Sequence, residues 1–214
     1  QVKLYTGTGS SNAITFDGDT NMQPDVVWIK QRNATMDHRF FNSVSGVHKY
    51  LKPNGDTHIG TDTNSLTAFG SDGFTVGSWD NVNDSSDTYV AWCWKESTDA
   101  GLDIVSYTGN ATARTISHNL SAVPHTIWCK ETSGSAPFGA QAWSIYHKTM
   151  TADNFMVFNS TQAQTDSAED FNDTEPTSSV FSVGNGNRTN ASSGAQLAFV
   201  FAPKQGFSKF GTYN

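Results

Sequence analysis

Tyr89-Val90-Ala91-Trp92-Cys93-Trp94-Lys95 is the stretch on which the reading of this chain turns. Its large apolar residues fall at every second position, with Val90, Trp92 and Trp94 alternating with Ala91, Cys93 and Lys95. A period of two belongs to a β-strand, whose successive side chains point to opposite faces. The pattern returns as Gln196-Leu197-Ala198-Phe199-Val200-Phe201-Ala202. The alternation predicts that Val90, Trp92 and Trp94, like Leu197, Phe199 and Phe201, form the core face of a central strand. Small alanines on the other face leave room for a neighbour.

Working outward, the rest of the chain repeats as well. Tyr5-Thr6-Gly7 returns as Tyr107-Thr108-Gly109, and Phe210-Gly211-Thr212-Tyr213 looks like a third opening. Pro24 to Lys30, with Trp28, returns as Pro124 to Lys130, with Trp128, at a shift of 100 (124 − 24). Phe74-Thr75-Val76-Gly77 returns as Phe181-Ser182-Val183-Gly184, and Asn83 with Ser86 returns as Asn190 with Ser193, at a shift of 107 (181 − 74). A fixed period governs the fold and outranks local signals. The 214 residues therefore divide into a first repeat over 1–98, a second over 99–205 and the start of a third over 206–214. The polar stretches 95–101 and 203–206 mark the breaks. A chain that opens on Gln1 and stops inside a repeat reads as a piece of a longer protein.

Helical periodicity is close to absent. Short runs rich in Val, Ile, Thr, Phe, Tyr and Trp are bounded by Gly, Asn, Asp and Ser instead. Strands are predicted near 2–6, 13–16, 25–31, 38–42, 48–52, 66–69, 73–78 and 88–95. In the second repeat they are predicted near 103–107, 113–117, 125–131, 142–147, 154–158, 179–183 and 196–202. That spacing predicts an all-β chain of two tandem antiparallel β-sandwich domains, of jelly-roll or concanavalin-like form. The paired Gly77 and Gly184 are expected to end their strands with positive φ.

Composition narrows the function classes. Charged residues make up 15% and the formal net charge is −7, against the clustered Lys and Arg that a nucleic-acid partner requires. No apolar run approaches the ~20 residues of a membrane helix, so no membrane insertion is expected. Cys93 and Cys129 occupy non-equivalent strand positions and read as free, buried, small hydrophobes. An inter-domain disulfide is the alternative.

A site built into a repeated fold should recur in both copies. Lys30 and Lys130 are the one charged pair in a well-aligned block, and each is expected to snorkel past the Trp two residues before it. Asp17, Asp19 and Asn21 are spaced as a calcium loop begins, but Met22 stands where that loop needs Gly. Asp166, Glu169, Asp170 and Asp173 invite a glycosidase reading; a solvated loop is the expectation. His38, His48, His58, His118, His125 and His147 lack zinc-site spacing. Asn-x-Ser/Thr triplets begin at Asn33, Asn83, Asn110, Asn119, Asn159, Asn172, Asn187 and Asn190, as chance allows in so Asn- and Ser-rich a chain. No catalytic, cofactor-binding or metal residue is assigned and no enzyme activity is expected. If a ligand or partner is held by exposed aromatics, the copy-specific candidates are Trp79, Phe138 and Trp143.

Taken in order, Tyr5–Gly7, Pro24–Lys30, Asp72–Gly77, Tyr89–Lys95 and Gly206–Tyr213 resemble a repeat found in tail-fibre-like virion proteins of marine bacteriophages. That family is known mainly as a domain of unknown function, often in tandem. The resemblance spans almost the whole chain and carries over no catalytic residue. It implies a structural, adhesive component at the virion surface, outside the cell, homo-oligomeric or bound to other virion proteins, with a host-surface glycan as a further partner. The second copy departs from the pattern where Trp92 and Trp94 become Phe199 and Phe201, and where Asp25 becomes His125. A carbohydrate-binding module is the alternative function, and a glycan-cleaving enzyme a more remote one.

Overall fold

A computed structural model of the chain describes residues 1–134 and 139–212. Strands dominate, the described helices are four-residue turns, and the chain is all-β. It divides into two compact units: residues 1–54 with 59–96, and residues 55–58 with 97–214.

In the first unit the elements run β1 (Val2–Thr6), β2 (Asn12–Thr15), β3 (Val26–Gln31), β4 (Arg39–Asn42), β5 (Lys49–Tyr50), β6 (Gly60–Thr61), β7 (Leu66–Gly70), β8 (Gly73–Val76), α1 (Asp80–Asn83) and β9 (Thr88–Trp94). One antiparallel sheet has the order β1-β9-β3-β4, and a second has the order β2-β8-β7. A single core draws on both. Val27, Ile29, Phe41, Tyr89, Ala91 and Cys93 come from the larger sheet, and Ile14, Leu66, Phe74 and Val76 from the smaller. Full burial of each large apolar side chain contributes roughly 1.5–3 kcal/mol before conformational entropy is set against it.

The second unit runs β10 (Leu102–Thr108), β11 (Arg114–Ser117), β12 (Thr126–Ser133), β13 (Ser144–His147), β14 (Asn154–Phe155), β15 (Thr165–Asp166), α2 (Ala168–Phe171), β16 (Val180–Val183), α3 (Asn187–Asn190) and β17 (Ala195–Phe201). Its larger sheet has the order β10-β17-β12-β13, the first unit's order with each strand replaced by its repeat equivalent. The pair β11-β16 stands where β2-β8 stands. Its core again joins the two sheets, with Ile127, Cys129, Ala198 and Val200 meeting Ile116, Phe181 and Val183.

The register corrects the predicted parity of the central strand. Tyr89, Ala91 and Cys93 are buried in the core, while Val90, Trp92 and Trp94 lie on the other face, half-buried. The core rows are filled from the opposite sheet and α1 by Phe74, Val76, Leu66 and Val82, so small residues on β9 suffice. In the second unit Ala198 and Val200 face the core likewise. Leu197, Phe199 and Phe201 are buried too, on the outer face, where Trp143 packs on Phe199 with centroids 6.1 Å apart and Trp128 on Phe201 at 4.5 Å.

The residues that recur prove to be joints. Tyr5 and Tyr107 each donate their hydroxyl to a helix carbonyl, Val82 O and Thr189 O, both at 2.6 Å. Asn83 and Asn190, both fully buried, donate Nδ2 to Gly77 O and Gly184 O at 2.6 Å. Their Oδ1 atoms accept from Thr8 N and Asn110 N at 3.0 Å. One amide thus ties the helix, the end of β8 or β16, and the loop after β1 or β10. Gly7 and Gly109 are glycines because a Cβ there would collide with Asp84 O or Ala191 O. Ser86 and Ser193 both take positive φ, at 70° and 60°. Gly77 and Gly184 do not, contrary to expectation. A Cβ would strike Asn64 O in one and Ala168 O in the other, so close backbone approach selects glycine there.

Candidate functional site

Two places concentrate chemistry: the outer face of the first unit's larger sheet, and a guanidinium site beside the single-turn helix of each unit.

On the outer face, direct registration places Val2, Trp92, Trp28 and Phe40 in one row across β1, β9, β3 and β4. Leu4, Val90 and Lys30 form the next row. The Trp28 ring meets Trp92 at 5.9 Å and Phe40 at 5.7 Å, edge to face in both cases. Its Nε1 donates to His38 Nδ1 at 2.8 Å. Burial holds the His38 pKa below the ordinary value, with the Lys30 charge adding to the effect, so the ring stays neutral and can accept that bond. Phe40 is buried and the indoles are half-buried, whereas Val2 and Leu4 are 58% and 56% exposed. A half-buried aromatic surface bordered by exposed Val2 and Leu4 suits a partner with an apolar face.

The guanidinium site is built differently in the two units. In the first, Arg39 on β4 is buried, with its Cζ 5.2 Å from the Tyr50 ring centroid and 5.0 Å from that of Trp79. Nη1 donates to His38 O at 3.0 Å, Nη2 donates to Asn81 Oδ1, and Asp37 Oδ2 lies 3.5 Å away. Burial lowers its pKa, and Asp37 opposes that shift. In the second unit the strand position of Arg39 is held by Ser144, since Ile29 pairs with Arg39 as Cys129 pairs with Ser144. The guanidinium comes instead from Arg188 on α3, the equivalent of Asn81 (81 + 107 = 188). Its Cζ lies 4.6 Å from the Phe155 ring and its Nη1 donates to Asp170 Oδ2 at 3.2 Å. Phe155 is the counterpart of Tyr50, as the bridges Phe40–Leu51 and Ile145–Met156 fix. Each unit therefore sets a guanidinium on the same aromatic position, delivered from a strand in the first and from the short helix in the second.

The predicted site residues fare unequally. Trp79 is half-buried, its ring tilted against Tyr50 at 4.8 Å and facing the Arg39 guanidinium at 5.0 Å, as part of this scaffold. Trp143 is fully buried against Phe158 and Phe199. It cannot serve as an exposed aromatic, because the outer face that β9 leaves partly open is covered in the second unit. Phe138 lies outside the described residues. Sequence reasoning missed Trp28, Trp92 and Trp94 as surface candidates; their aromatic parity was legible, but the side facing the core was not.

Other candidates resolve into structure. Lys130 is fully buried and does not snorkel. Its ammonium donates to Gln141 O at 2.5 Å and Asp56 O at 3.1 Å, and burial draws its pKa down to about 8. Lys30 donates to Gln31 O and Ala34 O. Of the acidic cluster, Asp170 is buried and raised in pKa by burial, with Arg188 opposing the shift. Asp17 is exposed and pairs with Lys3 at 3.0 Å. Cys93 and Cys129 are free and buried; burial pushes the Cys93 thiol up to about 12 and Cys129 up as well. Asn83 and Asn190 cannot carry a glycan in the folded chain, since both amides are enclosed. Among the described residues no cluster of His, Cys, Asp or Glu could hold a metal ion, and no helix is long and apolar enough to cross a membrane.

These features define an all-β chain whose two units share the strand order of their larger sheets and one set of joints. It belongs to DUF7483, a domain of unknown function, whose profile matches residues 1–214, through both units. No curated protein and no solved structure matches the chain.

Proposed function

We propose that this chain is a non-enzymatic structural and adhesive component of a viral particle, a tail fibre or surface appendage, built from two tandem β-sandwich domains. The observation that carries the reading is where the recurring residues are used. Tyr5 and Tyr107, Gly7 and Gly109, and Asn83 and Asn190 all serve backbone joints. Duplication that preserves joints and lets the surface vary suits a module repeated for reach and avidity. The test is immunogold labelling of intact particles with antibodies to the chain, together with competition of particle adsorption by the soluble chain. Decoration of an appendage and slowed adsorption are expected; particles free of the antigen would refute the reading.

A second reading, a carbohydrate-binding module on the host-facing surface, is favoured by one contrast. Trp92 and Trp94 are half-buried on the outer face of the first unit, where the second unit has buried Phe199 and Phe201. Indoles stack on flat apolar surfaces while their N–H groups meet polar partners. Glycan-array binding that Trp92→Ala abolishes, without release of reducing sugar, is the expected result. A blank array removes this reading and leaves the first intact.

A further inference from the structure

From the edge of the first unit's larger sheet we infer a self-association surface: β1 takes the β1 strand of a second copy of this chain, antiparallel, to join two sheets into one. The backbone sets this up. Cys93 N donates to Gln1 O at 2.8 Å, and Gly7 N to Asp87 O at 2.7 Å. With the register of β1 on β9, Gln1, Lys3, Tyr5 and Gly7 therefore point their N–H and C=O groups at β9. In an antiparallel pair the alternate residues, Val2, Leu4 and Thr6, direct theirs outward. Thr6 O accepts from Asn12 Nδ2 at 3.3 Å. The outward backbone groups of Val2 and Leu4 have no partner among the described residues.

The same two residues carry exposed apolar side chains, at 58% and 56%. An exposed apolar edge is the feature that natural sheets blunt when they are not meant to pair. The second unit shows such blunting at the equivalent edge, β10. Ile104, the counterpart of Val2, is only 5% exposed, and the counterpart of Leu4 is the polar Ser106.

A second copy fits because the strand is complementary to itself. Pairing centred on Leu4 sets Leu4 against Leu4 of the second copy and Val2 against its Thr6. Each outward-facing residue then meets an outward-facing residue. Lys3, ion-paired to Asp17 at 3.0 Å, falls opposite Tyr5 of the second copy, so no like charges oppose each other. Val2 and Leu4 continue the rows of Trp92 and Val90, so the joined sheets share one apolar outer face across a two-fold axis, an isologous contact. The inference does not depend on where the protein works.

The test is sedimentation equilibrium of the full chain over a dilution series, with two variants. The wild type is expected to show a concentration-dependent dimer. Leu4→Lys, at an exposed position, places like charges at the centre and is expected to weaken the dimer at least tenfold with unchanged thermal melting. Leu4→Cys is expected to form a covalent dimer on mild oxidation, because residues of a hydrogen-bonded pair stand about 5.5 Å apart, within the range a disulfide spans. Lys49→Cys, exposed on β5, is the control. A wild type that stays monomeric, a dimer indifferent to Leu4→Lys, or Lys49→Cys cross-linking as fast as Leu4→Cys would each overturn the inference.

Discussion

Moving the guanidinium of the first unit from strand to helix, as the second unit has it, should be tolerated as a set and not piece by piece. The perturbation is Arg39→Ser, Asn81→Arg and Ser65→Asp, singly and combined. Ser65 is the counterpart of Asp170: Gly77 N donates to Ser65 O at 2.7 Å as Gly184 N donates to Asp170 O at 3.1 Å. Arg39→Ser removes two ring contacts, each worth between ~0.5 and ~2 kcal/mol depending on desolvation. It also removes charge-assisted bonds to His38 O and Asn81 Oδ1, worth about 1.5–3 kcal/mol each. These terms overlap, so a loss of about 3 kcal/mol is expected. Asn81→Arg alone crowds a second guanidinium against Arg39 and should cost about 1–2 kcal/mol. Ser65→Asp alone buries an unpaired carboxylate at a fully buried position and should cost about 3 kcal/mol or more.

If the site is one guanidinium reached from either element, the double variant Arg39→Ser/Asn81→Arg recovers about 1.5–3 kcal/mol relative to the sum of its singles. The triple variant should approach the wild type, since it restores the charge partner present in the second unit. Urea denaturation followed by tryptophan fluorescence measures this, with the slope compared across variants so that only stability is read. Strict additivity of the three changes would refute the equivalence of the two sites.

Further consequences can be measured in the same way. Asn83→Asp and Asn190→Asp should each cost about 3 kcal/mol or more, because a buried carboxylate would face carbonyl oxygens in place of an amide donor; denaturation midpoints report it. Gly7→Ala and Gly109→Ala should each cost about 2–3 kcal/mol through collision of the new Cβ with a carbonyl oxygen, seen as lowered melting temperatures. Lys130 has a folded pKa lowered to about 8 from its ordinary 10.5, so the unfolded chain holds the extra proton between those values. Its contribution to stability therefore rises as pH increases from about 8 to 10.5, by about 3 kcal/mol in all. Lys130→Met should abolish that rise in urea titrations run across the window.

What could be read from the sequence follows from what a repeat and a period encode. Two equivalent strand sets were legible because Tyr, Trp, Gly and Asn return at near-constant shifts, and the structure gives each unit's larger sheet the same order. The parity of β9 was legible, but not its polarity. Alternation separates two faces without saying which one a second sheet will cover, and large aromatics are an unsafe guide when loops can bury the outer face. Tyr89 held the missing signal. It is a large residue in phase with Ala91 and Cys93, it lies against Tyr5 at 5.1 Å, and its hydroxyl donates to Asp80 O at 2.8 Å. Gly77 and Gly184 recur because of close approach to Asn64 O and Ala168 O, non-neighbouring backbone that leaves no local trace in sequence.

The guanidinium site marks a deeper limit of comparing copies residue by residue. Arg39 aligns with Ser144 and Asn81 with Arg188, so each position taken alone looks free to vary and neither charge appears to recur. Yet both units place a guanidinium on the aromatic carried by the short strand after β4 or β13. What recurs is a charge at a place, and two elements can supply it because the helix and the strand edge converge there. The partner changes with the route. Arg39 on the strand reaches the Asn81 amide and the loop residue Asp37, whereas Arg188 on the helix reaches buried Asp170. Burial raises the Asp170 pKa in the second unit, and the guanidinium that arrives from the helix opposes that rise. Asp170, one of four acidic residues for which a solvated loop was the expectation, is instead buried against a counter-charge whose route is set by the element that carries the arginine.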